Sequence, residues 1–398
     1  MFREEIIDEM EFRKGLPAGE GRLTAKQLAN LVCPHKPSIF ESRFSQLKKG
    51  KIYELHFHEF YAIAKILFPL DFAERLKSWC YDFRNYDNIM CSLEFATTHR
   101  MFDLQSDLIN YIKQIDTNSD AAHMLKNIAG IYEVSRVYQQ RTLPNKEIRK
   151  ILREFSPKSQ VSRALKFLLE CNTYANEFDF RGFNLLIEDV RQSIKQIENK
   201  YIRFSYKIRL FELLSRFHLY AKNDIKKARK YSKLVINADI GSKFTADGYY
   251  ILGMSFLYDD QNKCLTYIND YANMIAADGR EDLAREIRDR DLAFVSTGWG
   301  IRSNTSDISE KAHYEARWGD KGVAKNLIDK AIEEKGETPY RIYYKALACE
   351  DIREFSKAFS MFIANDNIFH ARLVVNSMSR WPEIQKLYQI QLENFKIK

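Results

Sequence analysis

Between Pro157 and Pro339 the chain runs for 181 residues without a proline. Proline fixes φ and removes a backbone donor, so a stretch this long without one offers few forced breaks. Glycine is also sparse, at 15 in the whole chain. Within the stretch, apolar residues recur at spacings of three and four. Leu210, Leu213, Leu214 and Phe217 form one stripe, and Ile328, Ala331 and Ile332 belong to another. Asp247-Gly248 and Asp278-Gly279 read as breaks between helices rather than as hairpin turns. The pattern predicts an all-α fold.

The helices read as short, paired and serial. Gly319-Asp320 is followed by Ala324, Ile328 and Ala331, the small–large–small spacing of the second helix of a tetratricopeptide unit. Small residues there let two helices close up. Asp224 with Ala228 and Tyr231 has a similar pattern. Tyr249, Leu252-Gly253 and Phe256 resemble a first helix, and Tyr343, Tyr344 and Leu347 open the last pair. Stacked pairs of this kind predict a right-handed, tetratricopeptide-like solenoid over residues 71–398, with a concave face able to hold an extended peptide.

Residues 1–70 depart from this plan. Met1 to Gly21 carries six acids and three bases, whereas Arg22 to Lys51 carries seven bases and only Glu41 as an acid. That short segment accounts for most of the net charge of +8. Leu23, Leu28, Ala29 and Val32 are the apolar set of a first helix opened by Thr24 as N-cap. Pro34-His35-Lys36 interrupts it. Pro37 suits the first turn of a second helix, Ile39 to Leu47, which ends at Lys48, Lys49 and Gly50. A third helix follows over His56 to Leu67, before Pro69. Short helix, turn, short helix, basic flank and third helix is the helix-turn-helix plan. The other reading of this segment is a solvated basic cap on the solenoid.

The sequence carries no catalytic constellation. There is no P-loop and no GxGxxG. Gly253-Met254-Ser255 lacks the closing glycine of a nucleophile elbow, since Leu257 stands there. His58-Glu59 lacks a second histidine, since position 62 is Ala62. His56 and His58 are expected on opposite helix faces, unable to share a metal. Gly298-Trp299-Gly300 reads as an inter-helix turn. Arg280 to Asp291 reads as a solvated face with Glu281–Arg285 and Glu286–Arg290 pairs. Cysteines 33, 80, 91, 171, 264 and 349 are scattered, which fits a reducing cytosolic setting rather than a disulfide or metal framework. No run of 18 apolar residues and no signal peptide are evident. Neither an enzyme, nor a cofactor, nor a metal is expected.

The row Leu23-Thr-Ala-Lys-Gln-Leu-Ala-Asn-Leu-Val32, with Ser38-Ile39 and Lys48-Lys49-Gly50-Lys51 downstream, resembles the phage-repressor helix-turn-helix. That resemblance implies that Ala29 packs at the helix crossing and Ile39 anchors the second helix. It places Lys36, Ser38, Ser42, Arg43 and Gln46 towards the major groove, with Lys48, Lys49 and Lys51 on phosphate. The departure is the stiff turn Cys33-Pro34-His35-Lys36-Pro37, which leaves the tilt of the second helix open.

Joined to a tetratricopeptide-like solenoid, such a head resembles the peptide-sensing regulators of Gram-positive bacteria and their phages, and within them the arbitrium receptors (AimR) of temperate Bacillus phages. The residues carrying this are Leu93-Glu94-Phe95-Ala96, Tyr201-Ile202-Arg203, Tyr231-Ser232-Lys233, Ala312-His313, Tyr343-Tyr344 and Asn365-Asp366. The resemblance implies a homodimeric transcription regulator in the bacterial host cytoplasm. It would bind operator DNA until a secreted peptide of about six residues enters the solenoid and shifts the phage from lysis to lysogeny. It also implies peptide contacts at Arg216, Lys243, Met254, Asn365 and Asp366, with Asp366 able to pair with a peptide arginine. The alternative is a Rap-like adaptor that binds a response regulator instead of DNA. Trp381, Leu387, Ile390 and Leu392 are expected either to dimerise or to cap the solenoid.

Overall fold

The computed structural model describes residues 2–17, 21–116 and 119–397. All regular structure in them is helical, and no strand occurs among the described residues. The chain forms two compact units. One comprises Met1–Lys166 with Arg191–Tyr206, the other Phe167–Val190 with Lys207–Lys398.

The first unit opens with α1 (Phe2–Gly15), α2 (Ala25–Val32), α3 (Pro37–Lys48), α4 (Phe57–Leu67) and α5 (Phe72–Cys80). Thr24 caps α2 in a reciprocal arrangement with Gln27: each side chain serves the other residue's backbone N–H. Pro37 starts α3, where its missing N–H is not needed. Gly50 closes α3 at φ +68°, a left-handed conformation that glycine adopts without strain. These helices enclose an aromatic core, in which Phe60 meets Phe2 edge-on at 4.9 Å and lies 5.0 Å from Phe83.

The unit does not end at residue 70, because α5 and the following α6 (Tyr86–Thr98) pack on α4. After α6 come α7 (Phe102–Gln114), α8 (Asp120–Gln139) and α9 (Asn145–Glu154). Residues 91–98 of α6 are all buried, including the carboxylate of Glu94. Glu94 accepts a hydrogen bond from the Tyr132 hydroxyl at 2.9 Å and another from Ser205. The Tyr132 and Tyr206 hydroxyls are 3.0 Å apart. A buried carboxylate needs such donors, and here α8 and the 191–206 segment supply them.

The chain crosses the boundary between the units within α10 (Gln160–Asn176), α11 (Phe180–Lys195) and α12 (Lys200–Tyr220). The second unit then continues with α13 (Ile225–Ala238), α14 (Ser242–Met254), α15 (Gln261–Ala277) and α16 (Glu281–Ile287). A π-helical turn, Arg288–Leu292, leads into α17 (Ala293–Gly298). Six more helices follow: α18 (Ile308–Trp318), α19 (Lys321–Lys335), α20 (Pro339–Cys349), α21 (Ile352–Ala364), α22 (Ile368–Asn376) and α23 (Pro382–Ile397). Consecutive helices pair, α13 with α14, α18 with α19 and α20 with α21, in a solenoid-like series. Asp224, Asp260 and Asp320 each accept from the backbone N–H three residues on, giving clean starts to α13, α15 and α19. Ala324, Ile328 and Ala331 are fully buried, as the small–large–small spacing requires.

Three expectations are corrected. Asp247-Gly248 lies inside α14, not between helices. A Cβ at Gly248 would sit 2.9 Å from Ile236 Cγ1 and 3.3 Å from the Ser232 carbonyl oxygen, so close approach to α13 excludes a side chain there. On the charged face, Arg290 bonds Glu286 at 2.8 Å as expected. Arg285 instead lies 3.6 Å from Asp282, while Glu281 takes Arg288, two turns on, at 3.3 Å. The rings of His56 and His58 stack 5.6 Å apart rather than facing opposite ways, because His56 caps α4 in extended backbone. Among the described residues no cluster of His, Cys, Asp or Glu could hold a metal. Among the described residues no helix is long and apolar enough to cross a membrane.

Candidate functional sites: a basic head and a polar cavity

In the head, α3 buries Phe40, Phe44 and Leu47, spaced i, i+4 and i+7. Ile39, expected to anchor this helix, is 53% exposed. Burial falls on its neighbour Phe40, so the helix is turned by one residue, about 100°, from the expected orientation. Ala29 is fully buried, as expected at the crossing. Ser38, Ser42 and Gln46 are exposed, as are Lys36, Lys49 and Lys51.

Two expected contact residues are engaged elsewhere. Arg43 donates to Glu59 at 3.0 Å, with the same nitrogen 2.9 Å from the other carboxylate oxygen. Glu59 is almost fully buried and also accepts from the His56 backbone N–H at 2.8 Å. Arg43 therefore ties α3 to α4 and does not project from the free face. Lys48 lies 3.2 Å from Glu11 of α1, and its carbonyl accepts from Arg3. The hydrogen bond from Lys48, with Lys14 nearby, holds Glu11 below the usual carboxylate range.

In the second unit, a cavity of about 310 Å³ is walled by residues of several helices, among them Tyr250, Met254, Asp291, Glu310, Tyr340, Tyr344 and His370. Burial pushes the Glu310 carboxyl well up, although it accepts from the Tyr344 hydroxyl at 2.9 Å. Burial likewise raises Asp291, against the pull of Arg290. Tyr250 donates to Asp291 at 3.3 Å. Burial lowers His370 to about 3, so its ring is neutral. Its Nδ1 lies 2.9 Å from the Tyr340 hydroxyl and 3.1 Å from Asn367 Oδ1, while Nε2 is buried without a partner. The wall is rich in acceptors, with Arg290 and Arg341 also lining the cavity.

Of the residues expected to touch a peptide, Met254 lines this cavity. Arg216 and Lys243 converge on Asp247: Lys243 bonds it at 2.6 Å and Arg216 lies 3.8 Å away, also bonded to Glu212 at 2.5 Å. Burial works against ionisation of Asp247, but Lys243 and Arg216 outweigh it and hold its carboxyl low. Asp366 sits in a different hollow of about 380 Å³ that shares no lining residue with the first. It lies 3.5 Å from Arg181, and Asn365 is exposed at the end of α21. The neighbouring Asn367 is the buried one. Sequence reasoning missed Tyr250, Asp291, Glu310, Tyr340 and His370 as a group. The one signal was Tyr343-Tyr344 near Ala312-His313, which packs Tyr344 on His313 at 4.1 Å beside the cavity wall.

A model of the AimR transcriptional regulator-like family matches residues 73–380. The chain belongs to that family. Membership places it among transcriptional regulators, not enzymes. The match begins after the basic head. Two solved structures share the fold. SeMet-phAimR has a TM-score of 0.68 at 16% identity, covering 97% of this chain and 99% of that one. phAimR solved with a ligand has a TM-score of 0.66 at 17% identity, covering 80% of this chain and 95% of that one. No curated protein sequence matches the chain. The AimR likeness thus extends, at the level of fold, through nearly the whole molecule, head included.

Proposed function

We propose that this AimR-family chain is a peptide-controlled, DNA-binding transcription regulator of the lysis–lysogeny decision, acting as a homodimer in the bacterial cytoplasm. Family membership carries the reading. Residues 1–70 act as the DNA-binding head, supported by the buried helix-turn-helix core and the exposed Lys36, Lys49 and Lys51. Residues 71–398 hold the peptide. At about 310 Å³ the acceptor-rich cavity is at the low end of ligand sites. It suits one anchoring side chain against Met254, leaving the rest of a short peptide along the surface that carries Arg216 and Lys243. A ligand shifts a two-state protein only by its difference in affinity for the two states. The peptide therefore has to bind more tightly to the form that does not hold operator DNA.

A gel-shift titration tests this. The full chain is mixed with duplex DNA flanking its own gene, at two salt concentrations, with and without the short peptide encoded nearby. Specific binding that the peptide abolishes is the expected result. Binding that ignores the peptide removes the peptide control. No binding at low salt removes the DNA-binding head and favours a Rap-like protein partner.

A further inference from the structure

The free face of α3 has an unusual chemistry for a DNA-reading helix. Ser38, Ile39, Ser42 and Gln46 fall on neighbouring positions, i to i+3 and i to i+4, and all four are exposed. Phe40, Phe44 and Leu47 occupy the buried side. The only arginine on the helix is withdrawn into its pair with Glu59. The free face thus offers one amide, two hydroxyls and one branched apolar side chain, and no guanidinium fork. Charge says what covers it. The stripe of Ser38, Ile39, Ser42 and Gln46 is itself uncharged, with the exposed Glu41 at its edge, and exposed lysines bracket it, Lys36 before the helix and Lys49 and Lys51 after it. They belong to a segment with seven bases and one acid. A neutral stripe between cationic ends complements a groove floor between two phosphate walls.

Resting on the DNA-binding reading above, we infer that α3 reads A·T base pairs, with Ile39 against a thymine methyl and Gln46 on an adjacent adenine. Guanine is read most often by arginine or lysine forks on O6 and N7, adenine by Asn or Gln on N6 and N7, and thymine by apolar contact with its methyl. Along this stripe only the last two chemistries are present, the Glu41 carboxylate lying at its edge. The exposure of Ile39, wasteful on a solvated helix, then has a use.

The test is selection by the full chain from duplexes with a randomised central segment, followed by affinity measurements on the enriched duplex. Enrichment of A·T pairs is expected. Replacing the contacted thymine with deoxyuridine removes only its methyl. It should weaken the wild type about four-fold, which corresponds to about 0.8 kcal/mol for a methyl-sized group at 1.4 kcal/mol per decade. Ile39→Ala, a surface change that leaves the core intact, should bind thymine and deoxyuridine duplexes equally. Enriched G·C pairs, or an Ile39→Ala protein that keeps the full methyl effect, overturns the inference. Salt-dependent binding with no enriched sequence also overturns it while leaving the DNA-binding head standing. No binding at any salt defeats both.

Discussion

Glu59 joins two jobs, so its removal should cost more than either alone. It serves the start of α4 through the His56 N–H and holds Arg43 across to α3. A lost helix cap is worth about 1 kcal/mol, and a hydrogen bond between charged groups about 1.5–3 kcal/mol. Glu59→Ala should therefore destabilise the head by about 3 kcal/mol. Arg43→Ala leaves a nearly buried carboxylate with one donor. With the arginine side chain 25% exposed and the cap surviving, the cost should be about 2 kcal/mol. Coupling in the double-mutant cycle should be about 1–2 kcal/mol. A chain with two compact units is not a single two-state system, so the assay is hydrogen exchange of the α3 and α4 amides. Where those amides exchange through opening of the head, losses of this size speed them by roughly 30- to 150-fold. Additive effects, or α3 amides indifferent to Arg43→Ala, would refute the lock. The lock also alters the reading of any DNA-binding defect in Arg43→Ala. If it works by loosening α3, Glu59→Ala must reproduce it.

Three further outcomes follow from particular contacts. Lys49→Ala should weaken DNA binding equally on all sequences and reduce the salt slope by about 1; an unchanged slope removes Lys49 from the phosphate set. Glu94→Ala, which takes away the acceptor shared by the Tyr132 and Ser205 hydroxyls, should cost about 3 kcal/mol, with Glu94→Gln recovering part of it in thermal melts. Full stability in Glu94→Ala would show that the carboxylate is not needed. His370 has a folded pKa of about 3, below the ordinary 6.5, so the unfolded chain takes the proton first. Its contribution is intact above pH 6.5 and lost as pH falls towards 3, about 3 kcal/mol by pH 4.5. The Tm difference between His370→Gln and the wild type should shrink on going from pH 7 to 4.5, and a constant difference contradicts the assignment.

The head was legible because its signals are local. Thr24, Pro37, Lys48 and Gly50 fix helix ends by backbone chemistry that depends on neighbours in sequence. The solenoid was legible through Ala324, Ile328 and Ala331, whose spacing is itself the packing. The cavity was not, because Tyr250, Asp291, Glu310, Tyr340 and His370 come from five places in the chain and share no period. Gly248 was misread for a related reason. Asp-Gly is a turn signal in isolation, and only the approach of α13 shows why the residue is small. Ile39 was displaced by one position because the stiff Pro34–Pro37 turn sets the roll of α3, and sequence spacing does not measure roll.

The π turn at Arg288–Leu292 lies in the cavity wall, placing Arg290 and Asp291 there and Phe294 just beyond it. Such a turn holds one residue more than the α-helix it interrupts. Losing a single codon here would restore regular helix and rotate whatever follows by about 100° relative to whatever precedes. Point substitutions around the cavity can only adjust what it accepts. An in-frame indel in this one stretch would instead re-aim every lining residue after the turn against Tyr250 and Met254 before it, a change of pocket that no single substitution can make.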